Sequence, residues 1–138
     1  MTNELTFTTN SLFDKVTFDK EADCWLFSFA DKIYASSSGF WRLLEMNKII
    51  FVSLDNEQQF GLPQPIDLAE QLNKILIGKR LKKIDVIKDT YDLSLTFTEE
   101  LKLEIYIASS GYETYDFSIN NKRYIGLGSG EIAIIDNE

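Results

Sequence analysis

The chain has no histidine, one cysteine and two prolines in 138 residues, and each scarcity removes a class of function. Without histidine the commonest general base, proton shuttle and metal ligand is missing, so no Ser-His or Cys-His pair can form. Zinc sites with the usual Cys/His spacings go with it. A single cysteine, Cys24, excludes an internal disulfide. Beside Trp25 in a strand pattern it reads as a small buried apolar side chain. No run approaches ~20 consecutive apolar residues, so no membrane span is expected. The opening MTNELTFTTN lacks the basic patch and apolar run of a signal peptide, and the expected compartment is the cytoplasm.

Basic charge is also short, at 14 Lys and Arg against 22 Asp and Glu, for a net charge of −8. The deficit is spread: residues 1–66 carry nine acids against five bases and residues 67–138 thirteen against nine, so each part is −4. A diffuse negative field steers a basic partner inward and disfavours nucleic acid and anionic membranes. The one basic cluster, Lys79-Arg80-x-Lys82-Lys83, sits where it complements a helix C-terminus and is a poor nucleic-acid site.

What is present is apolar and aromatic: 44% of the chain is hydrophobic and 13% of it is Phe, Trp or Tyr, the composition of a packed core. The length suits one domain, residues 1–138, burying ~68% of the surface of the unfolded chain. The organising stretch runs from Tyr91 to Ile119. Tyr91, Leu93, Leu95 and Phe97 alternate with polar residues; after a turn at Glu99-Glu100, Leu101, Leu103, Ile105 and Ile107 do the same. Ser109-Ser110-Gly111 breaks that strand, and Tyr115, Phe117 and Ile119 resume the period. Three strands with short connections predict an antiparallel meander.

Upstream, residues 1–11 read as a loose polar arm and Leu12 to Phe18 as weakly strand-like. Cys24 to Phe29 and Ile33–Ala35 are strands about a turn at Ala30-Asp31. Phe40 to Leu44 and Lys48 to Ser53 form a hairpin around Met46-Asn47. Both prolines fall in the loop DNEQQFGLPQP, and one helix follows, with Asp67 as N-cap, Glu70 in capping-box position and Gly78 as the C′ stop. Asn120-Asn121 favours a type I′ turn, and Glu131 to Ile135 is a last strand. The fold class is therefore α+β, mainly β: two antiparallel β-meanders packed together with one helix near residues 67–77. Corresponding orders of strands and Ser-Ser-Gly breaks suggest an internal repeat of residues 12–55 and 76–135, joined by loop 55–66 and that helix.

Candidate chemistry rests on carboxylates, Lys and Tyr. Glu99, Glu100, Glu104, Glu113 and Asp116 lie on or near the central meander; a catalytic pair is conceivable for glycoside hydrolysis, but solvated strand faces and a turn tip are the better reading. Glu113 shares a face with Tyr115 and Phe117 and needs a partner, for which Arg42 stands in a suitable strand. Asp19-x-Glu21-x-Asp23 lacks the glycine and distal glutamate of an EF-hand. Gly126-x-Gly128-x-Gly130 joins two strands and reads as a bend rather than a phosphate cradle. No cofactor and no metal are implied. The stretch Gln58 to Pro63 presents Phe60 and Leu62 either for recognition or as a core plug. Trp41, Tyr106, Tyr112 and Tyr124 add the aromatics that anchor interfaces.

Trp41-Arg42-Leu43, Ser53-x-Asp55, Gln59-Phe60-Gly61-Leu62-Pro63 with Asp67, Leu76-x-Gly78, Asp92-Leu93-x-Leu95-x-Phe97, Leu103-Glu104 and Ser109-Ser110-Gly111-Tyr112-Glu113 together resemble an uncharacterised family of small bacterial proteins. That family has no established activity. Its relatives often carry tryptophan where Tyr115 stands. By analogy of class, small acidic proteins of this kind resemble immunity proteins. The leading expectation is a non-catalytic protein-binding module, of immunity type in its sharpest form, that occludes a basic toxin or other partner. Its expected contacts are Trp41, Arg42, Phe60, Glu104, Tyr106, Tyr112, Glu113 and Asp116. The alternative is a small-molecule-binding domain with a cavity between the two meanders; an edge-strand homodimer and a carboxylate enzyme rank below it.

Overall fold

The computed structural model describes residues 5–128 and 130–136. Its elements are β1 (Leu5–Asp19), β2 (Cys24–Phe29), β3 (Tyr34–Ser37), β4 (Trp41–Glu45), β5 (Lys48–Val52), α1 (Leu68–Leu76), β6 (Arg80–Val86), β7 (Leu93–Phe97), β8 (Leu101–Ile105), β9 (Tyr115–Ile119), β10 (Lys122–Leu127) and β11 (Glu131–Asp136). A one-turn 3₁₀ segment, Ser53–Asp55, follows β5. All ladders are antiparallel, in the order β11-β10-β9-β3-β2-β1-β6-β7-β8-β4-β5. The architecture is mainly β with one α-helix among the described residues.

The expected loose arm is instead the first half of the longest strand; its first four residues lie outside the described ones. Leu5, Phe7, Thr9, Ser11 and Phe13 turn inward while Thr6, Thr8, Asn10 and Leu12 face water. At Asp14 a bulge inserts one residue against β2, between the pairs Phe13↔Phe29 and Lys15↔Ser28, and from there Val16 and Phe18 turn inward instead. The extra residue bends the strand and lets it serve two sheets. Residues 5–12 pair with β6 and residues 13–19 with β2. Beyond them the first sheet continues through β7, β8, β4 and β5, the second through β3, β9, β10 and β11.

The central three-strand meander is not formed. β7 and β8 make the expected hairpin, but β9 lies in the other sheet, beside β3, and β4 takes the place next to β8. Both Ser-Gly breaks are crossings from one sheet to the other. They run past each other, with Ser38 N–H donating to Thr114 C=O at 3.0 Å and Tyr106 N–H to Phe40 C=O at 2.9 Å. Alternation alone cannot show this, because a strand buries the same face whichever neighbour it takes. Paired left-handed residues close the hairpins at Asp31-Lys32, Met46-Asn47, Glu99-Glu100 and Asn120-Asn121, the backbone that two-residue type I′ turns require.

The inner faces of the two sheets meet through aromatic rings. Trp41 stands edge-on to Trp25 at 5.0 Å and to Phe27 at 5.8 Å; Phe97 meets Phe29 at 5.8 Å and Phe7 meets Phe117 at 5.8 Å. Such pairs add about 0.5–1.5 kcal/mol each beyond buried area. Trp41, Phe27, Phe117 and Leu43 are fully buried. The space where a ligand cavity was expected is therefore core.

α1 covers the flank at the β1 bend. Asp67 accepts from the Glu70 N–H at 3.1 Å, as its capping position predicts, and Gly78 follows the helix at φ +80°. Leu68, Leu72 and Leu76 are buried. Asn73, polar on that apolar stripe, docks the helix by backbone mimicry: its Oδ1 accepts from Val16 N–H at 2.8 Å and its Nδ2 donates to Val16 C=O at 2.9 Å.

A Cβ on Gly128 would overlap the backbone of Ser109, Ser110 and Gly111, whereas one on Gly111 would meet nothing within 4 Å. Gly128→Ala is therefore expected to cost about 1–3 kcal/mol by overpacking. Gly111→Ala should leave stability within ~0.5 kcal/mol. Urea midpoints at constant slope decide between them, and equal values would contradict this crossing.

Candidate functional site

Pairing between β4 and β8 sets the outer face of the first sheet. Arg42 lies opposite Glu104, and both point away from the core because Trp41, Leu43, Leu103 and Ile105 point into it. Arg42 Nε approaches Glu104 Oε1 at 2.6 Å, and Tyr106 Oη donates to the same oxygen at 2.6 Å. The Arg42 guanidinium sits 5.4 Å from the Tyr106 ring centroid, and the Phe40 and Tyr106 ring centroids are 5.4 Å apart. The four side chains form one plate. An ion pair this open to solvent is worth only ~0.2–1 kcal/mol, so the plate matters less for stability than for holding four groups still.

The electrostatics follow from that packing. Burial raises the Glu104 carboxyl, but the hydrogen bonds from Tyr106 and Arg42 outweigh it and leave the pKa below its ordinary value. Burial, then the Glu104 carboxylate, pushes the Tyr106 hydroxyl up to about 12. Beside the plate lies a hollow of about 270 Å³ lined by Ile87, Asp92, Leu93, Ser94 and Lys102 as well as Glu104 and Tyr106. Asp92 is already used, accepting from the Ile107 N–H at 2.8 Å.

A second polar cluster lies on the outer face of the other sheet. Asp116 accepts from Arg123 Nε at 2.6 Å, from Tyr34 Oη at 3.2 Å and from the Ser36 hydroxyl. These four residues come from three adjacent strands, and their carboxylate is saturated by structural partners. Cys24 is half-buried nearby, its thiol pushed up by burial and by Asp116.

Of the sequence-predicted contacts, the structure brings Arg42, Glu104 and Tyr106 together. Trp41 is corrected to core, with none of its surface exposed. Glu113 is exposed, and the partner expected for it, Arg42, is taken by Glu104; its field falls on Arg123 instead. Asp116 and Glu104 do not share a face, since each lies on the outside of a different sheet. Tyr112 is 79% exposed in the crossing after β8, and Phe60 is 67% exposed in the proline loop, so it is no core plug. Phe40, Lys102 and Asp92 are not among the contacts expected from the sequence. Strand parity could have offered Lys102, two positions before Glu104, but Phe40 needs the β4–β8 pairing.

No cluster of three or more Cys, Asp or Glu side chains among the described residues could hold a metal ion. No described helix is long and apolar enough to cross a membrane. No protein-family model, curated protein or solved structure matches the chain.

The Tyr106 assignment has a spectroscopic consequence. Its folded pKa lies above the ordinary ~10. Its contribution to stability is therefore complete below pH ~10 and disappears as pH rises through about 12. In alkaline titration, the wild-type minus Tyr106→Phe phenolate absorbance should show a midpoint near 12. Glu104→Gln should move that midpoint toward ~10. A wild-type midpoint already at ~10 would refute the pairing.

Proposed function

We propose that the protein is a non-catalytic protein-binding module whose contact surface is the plate of Phe40, Arg42, Glu104 and Tyr106 with the hollow beside it. The observation that carries this reading is pre-organisation. Arg42 and Glu104 on paired strands, and Phe40 and Tyr106 one residue beyond those strands and joined by a backbone hydrogen bond, are fixed by 2.6 Å hydrogen bonds and a ring contact. Residues of these types held in place lose little side-chain entropy on binding, which is how tyrosine and arginine come to dominate interfaces. The net charge of −8 favours a basic partner by accelerating encounter. The mechanism is occlusion: the plate covers a functional surface of the partner. An immunity-type protein that blocks a toxin is the sharpest form of this proposal, and a bacterial, cytoplasmic setting goes with it.

We propose also that residues 12–55 and 76–135 descend from one duplicated unit, kin to the uncharacterised bacterial family whose motifs the chain resembles. The strand order supports the duplication. If β1–β5 are exchanged with β6–β10 in sequence, the order from β10 to β5 reads the same backwards. β11 and α1 have no counterpart in that exchange.

The test has two stages. A partner retained by immobilised wild-type chain is identified and purified, and its direct affinity is then measured for wild type, Tyr106→Ala and Asp116→Asn. Tyr106→Ala is expected to weaken binding by ~10- to 100-fold, as a central aromatic contact does. Asp116→Asn, on the opposite face, should change it less than ~3-fold. Loss at Asp116 with no effect at Tyr106 would overturn the assignment of the face.

A further inference from the structure

A cleft of about 540 Å³ separates the outer edge of β5 from the proline loop and the start of α1. Ile50 and Phe51 form one wall, and Leu62, Pro63, Pro65 and Ile66 the other. Phe51 lies opposite the core residue Leu43, so the cleft opens onto the flank of the hydrophobic core, and a side chain entering it would extend that core. The volume exceeds what one side chain fills. The titratable groups lining it are all acidic, Asp55, Asp67 and Glu70; Glu70 has an exposed ion pair with Lys74 at 3.7 Å and Asp67 caps the helix, while no basic side chain lines the cleft itself.

Two further features bear on what would fit. β5 ends the sheet, so among the described residues one of its backbone edges has no strand beside it. Its five residues at ~3.3 Å each, with Ile50 the extra residue of a bulge against β4, still span the length of a short extended segment. The opposite wall is already folded. Glu57 N–H donates to Ile66 C=O at 2.8 Å, Ile66 N–H to Gln58 C=O at 2.8 Å, and Gln59 Nε2 to Leu62 C=O at 2.8 Å. Little ordering is left for binding to pay for.

We infer that this cleft binds an extended segment of another protein that adds a strand to β5, placing bulky apolar side chains in the cleft and lysine or arginine against Asp55, Asp67 and Glu70. Backbone pairing supplies affinity in such strand addition, and the pockets for alternate side chains supply selectivity. The carboxylate rim selects basic segments over acidic ones. This site is separate from the Tyr106 plate and stands or falls without it.

The probe is a short fluorescein-labelled peptide alternating phenylalanine or valine with lysine or arginine, titrated against the full chain by fluorescence anisotropy. Binding is expected, falling with added salt, and weakened by about tenfold in the double variant Asp55→Asn/Glu70→Gln. N-methylation of alternate peptide nitrogens should abolish it, because that removes the donors an added strand needs while leaving the protein unaltered. Thermal midpoints confirm that the variant is folded, and Tyr106→Ala should bind the probe as wild type does. The inference is overturned if a glutamate version of the peptide binds as tightly, if the double variant binds unchanged, or if N-methylation has no effect. Displacement by phenethylammonium at the same concentration would equally overturn it, by showing a site for a small amine.

Discussion

Neither sheet can be completed by one half of the chain. The edge of β3 is satisfied by β9, the edge of β8 by β4 and the first half of β1 by β6, so three ladders join the two halves of the chain. Backbone N–H and C=O groups taken from water must be paired. A half lacking its counterpart would present three newly unpaired strand edges and an uncovered aromatic face. The exchange at the two crossings is the constraint on which core, helix and surface depend. It also makes the important contacts distant in sequence, as in the pairing of Tyr34 with Ser118, an arrangement that slows folding without weakening the product.

The same exchange places the polar surface. Arg42 and Glu104 become neighbours only because β4 crosses from its sequence neighbour β3 to β8; had the meander formed, Arg42 would have faced β3. Once the strands are set, the period of two fixes the rest. Trp41 and Leu43 go inward, Arg42 goes outward, and Glu104 arrives opposite it. Tyr106, two residues past Glu104, lies on the same side and reaches the shared carboxylate oxygen. The saturation of Asp116 by Arg123, Tyr34 and Ser36 arises likewise from β9 lying between β3 and β10.

Much of the local structure was legible. Apolar alternation located β2, β7, β8 and β9, Asp67 and Gly78 bounded the helix, and Asn120-Asn121 marked its turn by residue type. Each of these is decided by neighbours in sequence. Only the second half of the N-terminal strand reads as strand-like, because polar Thr9 and Ser11 occupy inward positions of the first half and the Asp14 bulge breaks the alternation midway. Glu113 was assigned an apolar rim on parity alone, although its strand begins only at Tyr115. Asn73 reads as an interruption of an apolar stripe until the backbone of Val16, two residues past the Asp14 bulge, stands opposite it.

By itself the sequence determined a β-rich chain with one capped helix, an acidic balance and no histidine chemistry. These follow from residue type, period and count. The tertiary structure alone decided which strands are neighbours, that Trp41 is core while Phe60 is surface, and that Arg42 belongs to Glu104. Burying a face tells a strand which side to hide but not which edge to offer, and that second choice is settled only when both halves close over one core.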